Sequence, residues 1–422
     1  MKNTAAKIIS SVLALAAALA LCFSMPYMAA AEETNTETAS AYVTFEDVEA
    51  SVLRGNLTVL SLQENIDMIS EIDYEDLKDT LLDAMNQLAD AQWALSTAIS
   101  MGFSNDNYHL DMIKTQWDTL DDQFEDLKDG TTEKNNNDMK RMMSNTQKQL
   151  VMAAESLYMT QKNLEVTRTA LTRQAAALDR TKKEMDVRYN NGQVSSLNLA
   201  ELENGIVQLN SGKATLNMNM EILSLQLKNM LGVDLGADLI LKDPEIPGTD
   251  KLNKMDLEKD LASAKANSYQ LYDAKKTLDD AEDDLKDVQR EKAYEYYEQP
   301  GSSVRRQADH NWQSAQYTYR ATERSFELSF RTLYAQVKDY AQVHEAAKSA
   351  LLTEQKDYEA DKIRYSYGTI SQNALKTAED DLRTAEEKVR TTGFDLASAY
   401  RQYTHAVKDG IVSSGSSGGS IN

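Results

Sequence analysis

The sequence predicts an all-α chain of two tandem repeats, each a long antiparallel coiled-coil hairpin. Three observations carry that prediction. Apolar residues recur in heptads on both sides of a short glycine-bearing turn, the whole device is written twice, and little in the composition breaks helices. With 4 prolines and 16 glycines in 422 residues, helices far longer than the globular mean are expected.

In the first copy, Leu150, Leu157, Leu164, Leu171, Leu178 and Met185 stand at every seventh position, followed by Arg188-Tyr189-Asn190-Asn191-Gly192-Gln193-Val194. After this turn Leu199, Leu202, Ile206, Leu209, Leu216, Met220, Leu223, Leu227 and Met230 alternate by three and four, broken only at Lys213. Such a seam buries one stripe of each helix against the other. In the second copy Phe326, Leu333, Tyr340 and Ala347 lead to Arg364-Tyr365-Ser366-Tyr367-Gly368-Thr369-Ile370, and Leu375, Leu382, Val389, Leu396 and Tyr403 return in the same phase. The turns agree at Arg, Tyr and Gly, Val194 is answered by Ile370, and Ser195 by Ser371. In this second copy Ala378, Ala385, Ala399 and Ala406 leave room for close helix approach.

Ahead of the repeats, Lys2 and Lys7, the apolar run Ile8 to Phe23 and Ala29-Ala30-Ala31 read as a signal peptide over residues 1–31. The run falls short of the ~20 residues that a spanning anchor needs. Cys22 is the only cysteine and follows Leu21, where a lipidation site wants a small residue. Removal of residues 1–31 would leave no thiol for disulfides, catalysis or zinc. The organisation expected is then a first helical repeat over 32–231 with its tip at 188–196, a linker over 232–256 containing Pro244 and Pro247, and a second repeat over 257–408 with its tip at 364–372. Pro300-Gly301-Ser302-Ser303 interrupts the second repeat, and a disordered Ser/Gly-rich tail is expected over 409–422.

A net charge of −22 opposes nucleic-acid binding, which needs a basic surface. Acid-rich stretches such as Asp279-Asp280 and Glu282-Asp283-Asp284 lack a calcium-loop glycine and read as solvated helix faces. His109, His310, His344 and His405 stand far apart, outside any metal-ligating pattern, and read as surface or seam positions. Neither a phosphate-binding glycine loop nor a serine elbow is present, so no enzyme activity and no cofactor are expected.

Two repeats, each closed by a Tyr-x-x-Gly-x-Val/Ile-Ser turn between heptad helices behind a signal peptide, resemble the TolC family of outer-membrane efflux proteins. Thr44-Phe45-Glu46-Asp47-Val48 with Val52-Leu53-Arg54-Gly55-Asn56-Leu57 resembles that family's opening helix, and Leu257, Leu261, Ala264 and Asn267 echo it more weakly. The resemblance implies a homotrimer of twelve helices. It also implies docking of the turns to an adaptor, or membrane fusion, protein and through it to an inner (cytoplasmic) membrane transporter. The positions it would place at that contact are Arg188, Tyr189, Gly192, Gln193 and Val194, with Arg364, Tyr365, Gly368, Thr369 and Ile370. Any helical hairpin wants a glycine of positive φ, whereas the shared Arg-Tyr and Val/Ile-Ser go beyond that need.

The sequence departs from the family twice. The window 71–146, where barrel strands would be inserted, shows helical spacing at Leu77, Leu81, Leu82, Met85, Leu88 and Ala89, then at Ile113, Trp117, Leu120, Phe124 and Leu127. The family's outer-membrane barrel is therefore expected to be absent. Past the tips, Ser196, Asn198, Ala374 and Thr377 stand where the family often has gating charges. An envelope, cell-surface or wall-zone conduit component is the function expected, outer membrane being the family's usual place. An extracellular coiled-coil spacer or scaffold is the alternative.

Overall fold

A computed structural model of the chain describes residues 41–294 and 303–412. The expected signal peptide with Cys22, the break at Pro300-Gly301-Ser302, and the Ser/Gly-rich stretch from Ser413 lie outside the described residues. Eleven helices and two short strands make up what is described. Strand β1 (Ala41–Val43) leads into α1 (Val48–Gly55) and α2 (Leu57–Ser70), then α3 (Tyr74–Ser100) and α4 (Asn107–Lys128), and the first long pair is α5 (Thr131–Asn190) and α6 (Ser196–Leu231). Strand β2 (Leu239–Leu241) and α7 (Thr249–Asn253) follow within the stretch read as a linker. Then come α8 (Leu257–Asn267), α9 (Tyr269–Tyr294), and the second long pair α10 (Ser303–Ser366) and α11 (Gln372–Asp409). At 60 and 64 residues, α5 and α10 run about 90 Å and about 95 Å at 1.5 Å per residue.

Local chemistry sets the helix ends. The Asn56 carboxamide oxygen accepts from the Thr58 and Val59 N–H groups, Asp73 caps α3 in the same way, and Asp256 caps α8. These side chains satisfy donors that a helix start leaves orphaned. Gly232 ends α6 and Gly410 ends α11, both left-handed. Each sits against the end of its own repeat's opening helix: a Cβ on Gly232 would fall 2.0 Å from the Gly55 carbonyl oxygen, and one on Gly410 would fall 2.3 Å from the Ser268 nitrogen. The two repeats thus share a close backbone crossing as well as a turn. Asn56 Nδ2 donates to the Met230 carbonyl and Asn267 Nδ2 to that of Val407, repeating the tie.

Two cores sit at these crossings. The first gathers Val48, Val52 and Val59 against Val151, Ala154, Tyr158, Leu227 and Leu231. The second gathers Leu261 and Ala264 against Phe326, Phe330, Leu333, Val337, Tyr403 and Ala406. β1 and β2 form a parallel pair with Ala41 opposite Leu239, and the buried Tyr158 hydroxyl bridges it by contacting the Val43 and Lys242 carbonyls. The window 71–146 is helical: α3 and α4 close a third core of Leu81, Met85, Leu120 and Leu127, joined by Trp117 and Phe124. The only strands among the described residues are β1 and β2.

The structure refines the seam. On α6 every residue of the expected stripe is buried or half-buried, but on α5 the leucines at every seventh position are half-buried. The fully buried stripe of α5 is instead Met143, Gln147, Val151, Ala154, Glu155, Tyr158, Met159, Lys162 and Val166. It faces the opening helices, the strand pair and α11, which cover α5 more completely than α6 alone can. At the chain end, Asp409, expected to begin the tail, is the buried last residue of α11.

Candidate functional site: the paired hairpin tips

Both turns are built alike. Gly192 and Gly368 adopt φ of 69° and 72°, with open space where a Cβ would stand. The Gln193 N–H donates to the Arg188 carbonyl at 2.8 Å and the Gly192 N–H to that of Tyr189 at 2.9 Å. In the second turn the Thr369 N–H donates to the Arg364 carbonyl at 2.9 Å and the Gly368 N–H to that of Tyr365 at 2.9 Å. This pair of bonds closes a helix around one left-handed residue and satisfies its last carbonyls. Ser195 Oγ then accepts from the Asn198 N–H, and Ser371 Oγ from the Ala374 N–H, starting the return helices.

These bonds correct one expectation. The serine of the Val/Ile-Ser pair is a helix cap. Val194 and Ile370, just before the cap, are half-buried, as are Leu199 and Leu375 one turn into the helices. That is the spacing at which an apolar pair fixes a helix entry. Hairpin construction therefore accounts for Gly, Val/Ile and Ser, and what it does not require is the exposed aromatic content. Tyr189 and Tyr365 are 43% and 41% exposed, Tyr367 is 80% exposed, and Val187 is 60% exposed. Arg188 pairs with Glu184 and Arg364 with Asp361, each within its own helix.

The two turns lie at the same end. Asn373 Nδ2, at the start of α11, donates to Glu184 Oε2, in the last turns of α5, at 3.1 Å. Higher on the arms Arg180 pairs with Asp380, and Arg173 grips Glu387 through both guanidinium nitrogens at 2.9 Å. Two exposed arms need such pairs, because their apolar seam is only half-covered there. Neither Glu184 nor Asn373 stands out in the sequence, since their partnership links residues far apart in the chain.

Of the four histidines, His344 holds a seam position between α10 and α11, while His405, near the end of α11 away from the tips, departs from the surface-or-seam reading. His344 is buried and shares a hydrogen bond with Thr392 Oγ1, and burial lowers its pKa. His405 lies between carboxylates, with Nε2 2.9 Å from Glu155 and Nδ1 2.9 Å from Asp409. Burial opposes its charge, yet hydrogen bonds to Asp409 and Glu155 outweigh that and raise its pKa to about 9. Arg401 completes the cluster, bonding Glu155 at 2.7 Å and Glu49 at 2.8 Å, and Lys148 pairs with Asp409. The cluster joins α1, α5 and α11. No group of three metal-ligating side chains occurs among the described residues, nor is any described helix long and apolar enough to cross a membrane.

No family model matches the chain, and no curated protein matches it. Among solved structures it is similar to the Campylobacter jejuni CmeC outer membrane channel, at 15% identity and a TM-score of 0.42, over 71% of this chain and 69% of that one. It is similar to the outer membrane protein VceC of Vibrio cholerae, at 9% identity and a TM-score of 0.47, over 86% of this chain and 96% of that one. A third is the open state of the Neisseria gonorrhoeae MtrE outer membrane channel, at 11% identity and a TM-score of 0.41, over 86% and 90%. The printed names of all three are those of outer membrane channels or outer membrane proteins.

Proposed function

We propose that the chain is a component of an efflux or secretion conduit in the cell envelope. It docks through its two tips to an adaptor, or membrane fusion, protein of a transmembrane pump and works as a homotrimer without catalysing a reaction. The observation that carries this reading is the second tip. Both turns share one bonding scheme and lie at one end, and each shows the solvent an Arg-Tyr pair that hairpin construction does not need. Aromatic and arginine side chains are the residues that most often anchor an interface. A TolC-like chain whose barrel window is filled by helices fits export to the cell surface or wall zone.

Photocrosslinking in the native cell from probes at Gln193 and Thr369, with Met218 as an exposed control on α6, tests the proposal. Capture of an adaptor-type membrane protein from both tips and not from the control is expected. Capture of wall material alone, or of nothing, would leave the extracellular spacer in its place.

A further inference from the structure

Lys213 is the one residue that breaks the apolar stripe of α6, and the tips give it no task. It lies about 30 Å up the arm from the turn at 1.5 Å per residue, half-buried at a seam position. There it lines a groove of about 730 Å³ formed by α5, α6 and α11. A cation at such a position costs coiled-coil stability unless it settles register or meets a counter-charge. Its neighbours supply none: the carboxylates lining the groove are already taken, Glu387 by Arg173, Asp380 by Arg180 and Glu379 by Lys376. Arg168, an exposed lining residue on α5, has no side-chain partner either among the described residues. The lining holds six cations against three carboxylates, in a chain whose net charge is −22, so the groove is a local reversal of sign.

We propose that this groove binds a compact anion carrying two or more phosphate or carboxylate groups. The size falls in the range of small-molecule sites, roughly 300–1,000 Å³. Two unpaired cations on different helices call for a ligand with more than one anionic group. A guanidinium fork and an ammonium suit phosphate and carboxylate alike, while Arg173 and Arg180, held by their own carboxylates, fix the walls.

Isothermal titration of the full mature chain with pyrophosphate, and separately with citrate, tests this. One site per chain is expected, with affinity falling as salt rises. Lys213→Met and Arg168→Gln should each weaken binding by about tenfold or more, the loss of one charge-assisted contact. Lys213→Met restores the apolar stripe, so it should melt no lower than the wild type and its weakened binding cannot be put down to unfolding. Binding of pyrophosphate alone assigns the site to phosphates, and of citrate alone to carboxylates. The proposal falls if neither probe binds, if several equal sites fill, or if both variants bind like the wild type. The last result, with a shift in oligomeric state of Lys213→Met, would make the lysine a register device. Tip crosslinking from Gln193 and Thr369 is unaffected by any of these outcomes.

Discussion

The proton that His405 holds between Glu155 and Asp409 can be removed by raising the pH, and stability should follow it. The three side chains are 5%, 6% and 7% exposed, so water screens their interaction little. A group whose folded pKa lies above its ordinary value stabilises the fold fully below that value, and the contribution is lost as pH rises through the folded one. For His405 the rise from 6.5 to about 9, at about 1.4 kcal/mol per pH unit, amounts to about 3 kcal/mol. Urea denaturation of the wild type and of His405→Gln at about pH 6 and about pH 9.5 reads this directly. Tyrosines and lysines that begin to titrate at the upper pH are common to both proteins and cancel in the comparison. The wild type should lose about 3 kcal/mol more than the variant between the two conditions. Glu155→Gln should cost about 3–5 kcal/mol at neutral pH, because it leaves the buried imidazolium and Arg401 each short of a carboxylate. Equal pH dependence in wild type and His405→Gln would refute the charge assignment.

Two further outcomes follow from the backbone and from Tyr158. Gly192→Ala should cost only the strain of a left-handed alanine, about 1–2 kcal/mol, since its Cβ would meet open space. Gly232→Ala should be far worse, because its Cβ would overlap the Gly55 backbone, and thermal melting of the two variants should rank them so. Tyr158→Phe leaves the Val43 and Lys242 carbonyls without their bridge and should cost about 1–3 kcal/mol, with faster proteolytic trimming of β1 as the local sign.

Much of this architecture was legible because helical heptads and turns are local. The α6 stripe, the Gly192 and Gly368 turns and the helical α3–α4 window depend on residues within a few turns of one another. The buried stripe of α5 was not, since Gln147, Glu155 and Lys162 sit in it and look like solvent-facing residues. They are buried because their partners come from elsewhere: Gln147 reaches the Val59 carbonyl, Lys162 that of Leu241, and Glu155 meets Arg401 and His405. The same distance hid His405. Strands of three residues carry too little periodicity to be read at all. At the tips, the positions were legible but part of the reasoning was not, for Ser195 and Ser371 are explained by capping.

The helical pair α3–α4 also bears on how the molecule comes to be made. A strand at the rim of a barrel completes its hydrogen bonds only when a neighbouring strand arrives, so a barrel end can finish folding only by closing. In α3 and α4 the backbone groups between the helix ends are paired within their own helix, and their shared core of Leu81, Met85, Leu120 and Leu127 comes from one short stretch of chain. Contacts of such low sequence separation form early and quickly. This end of the protein can therefore fold on a single chain, with neither a bilayer nor a second copy as template.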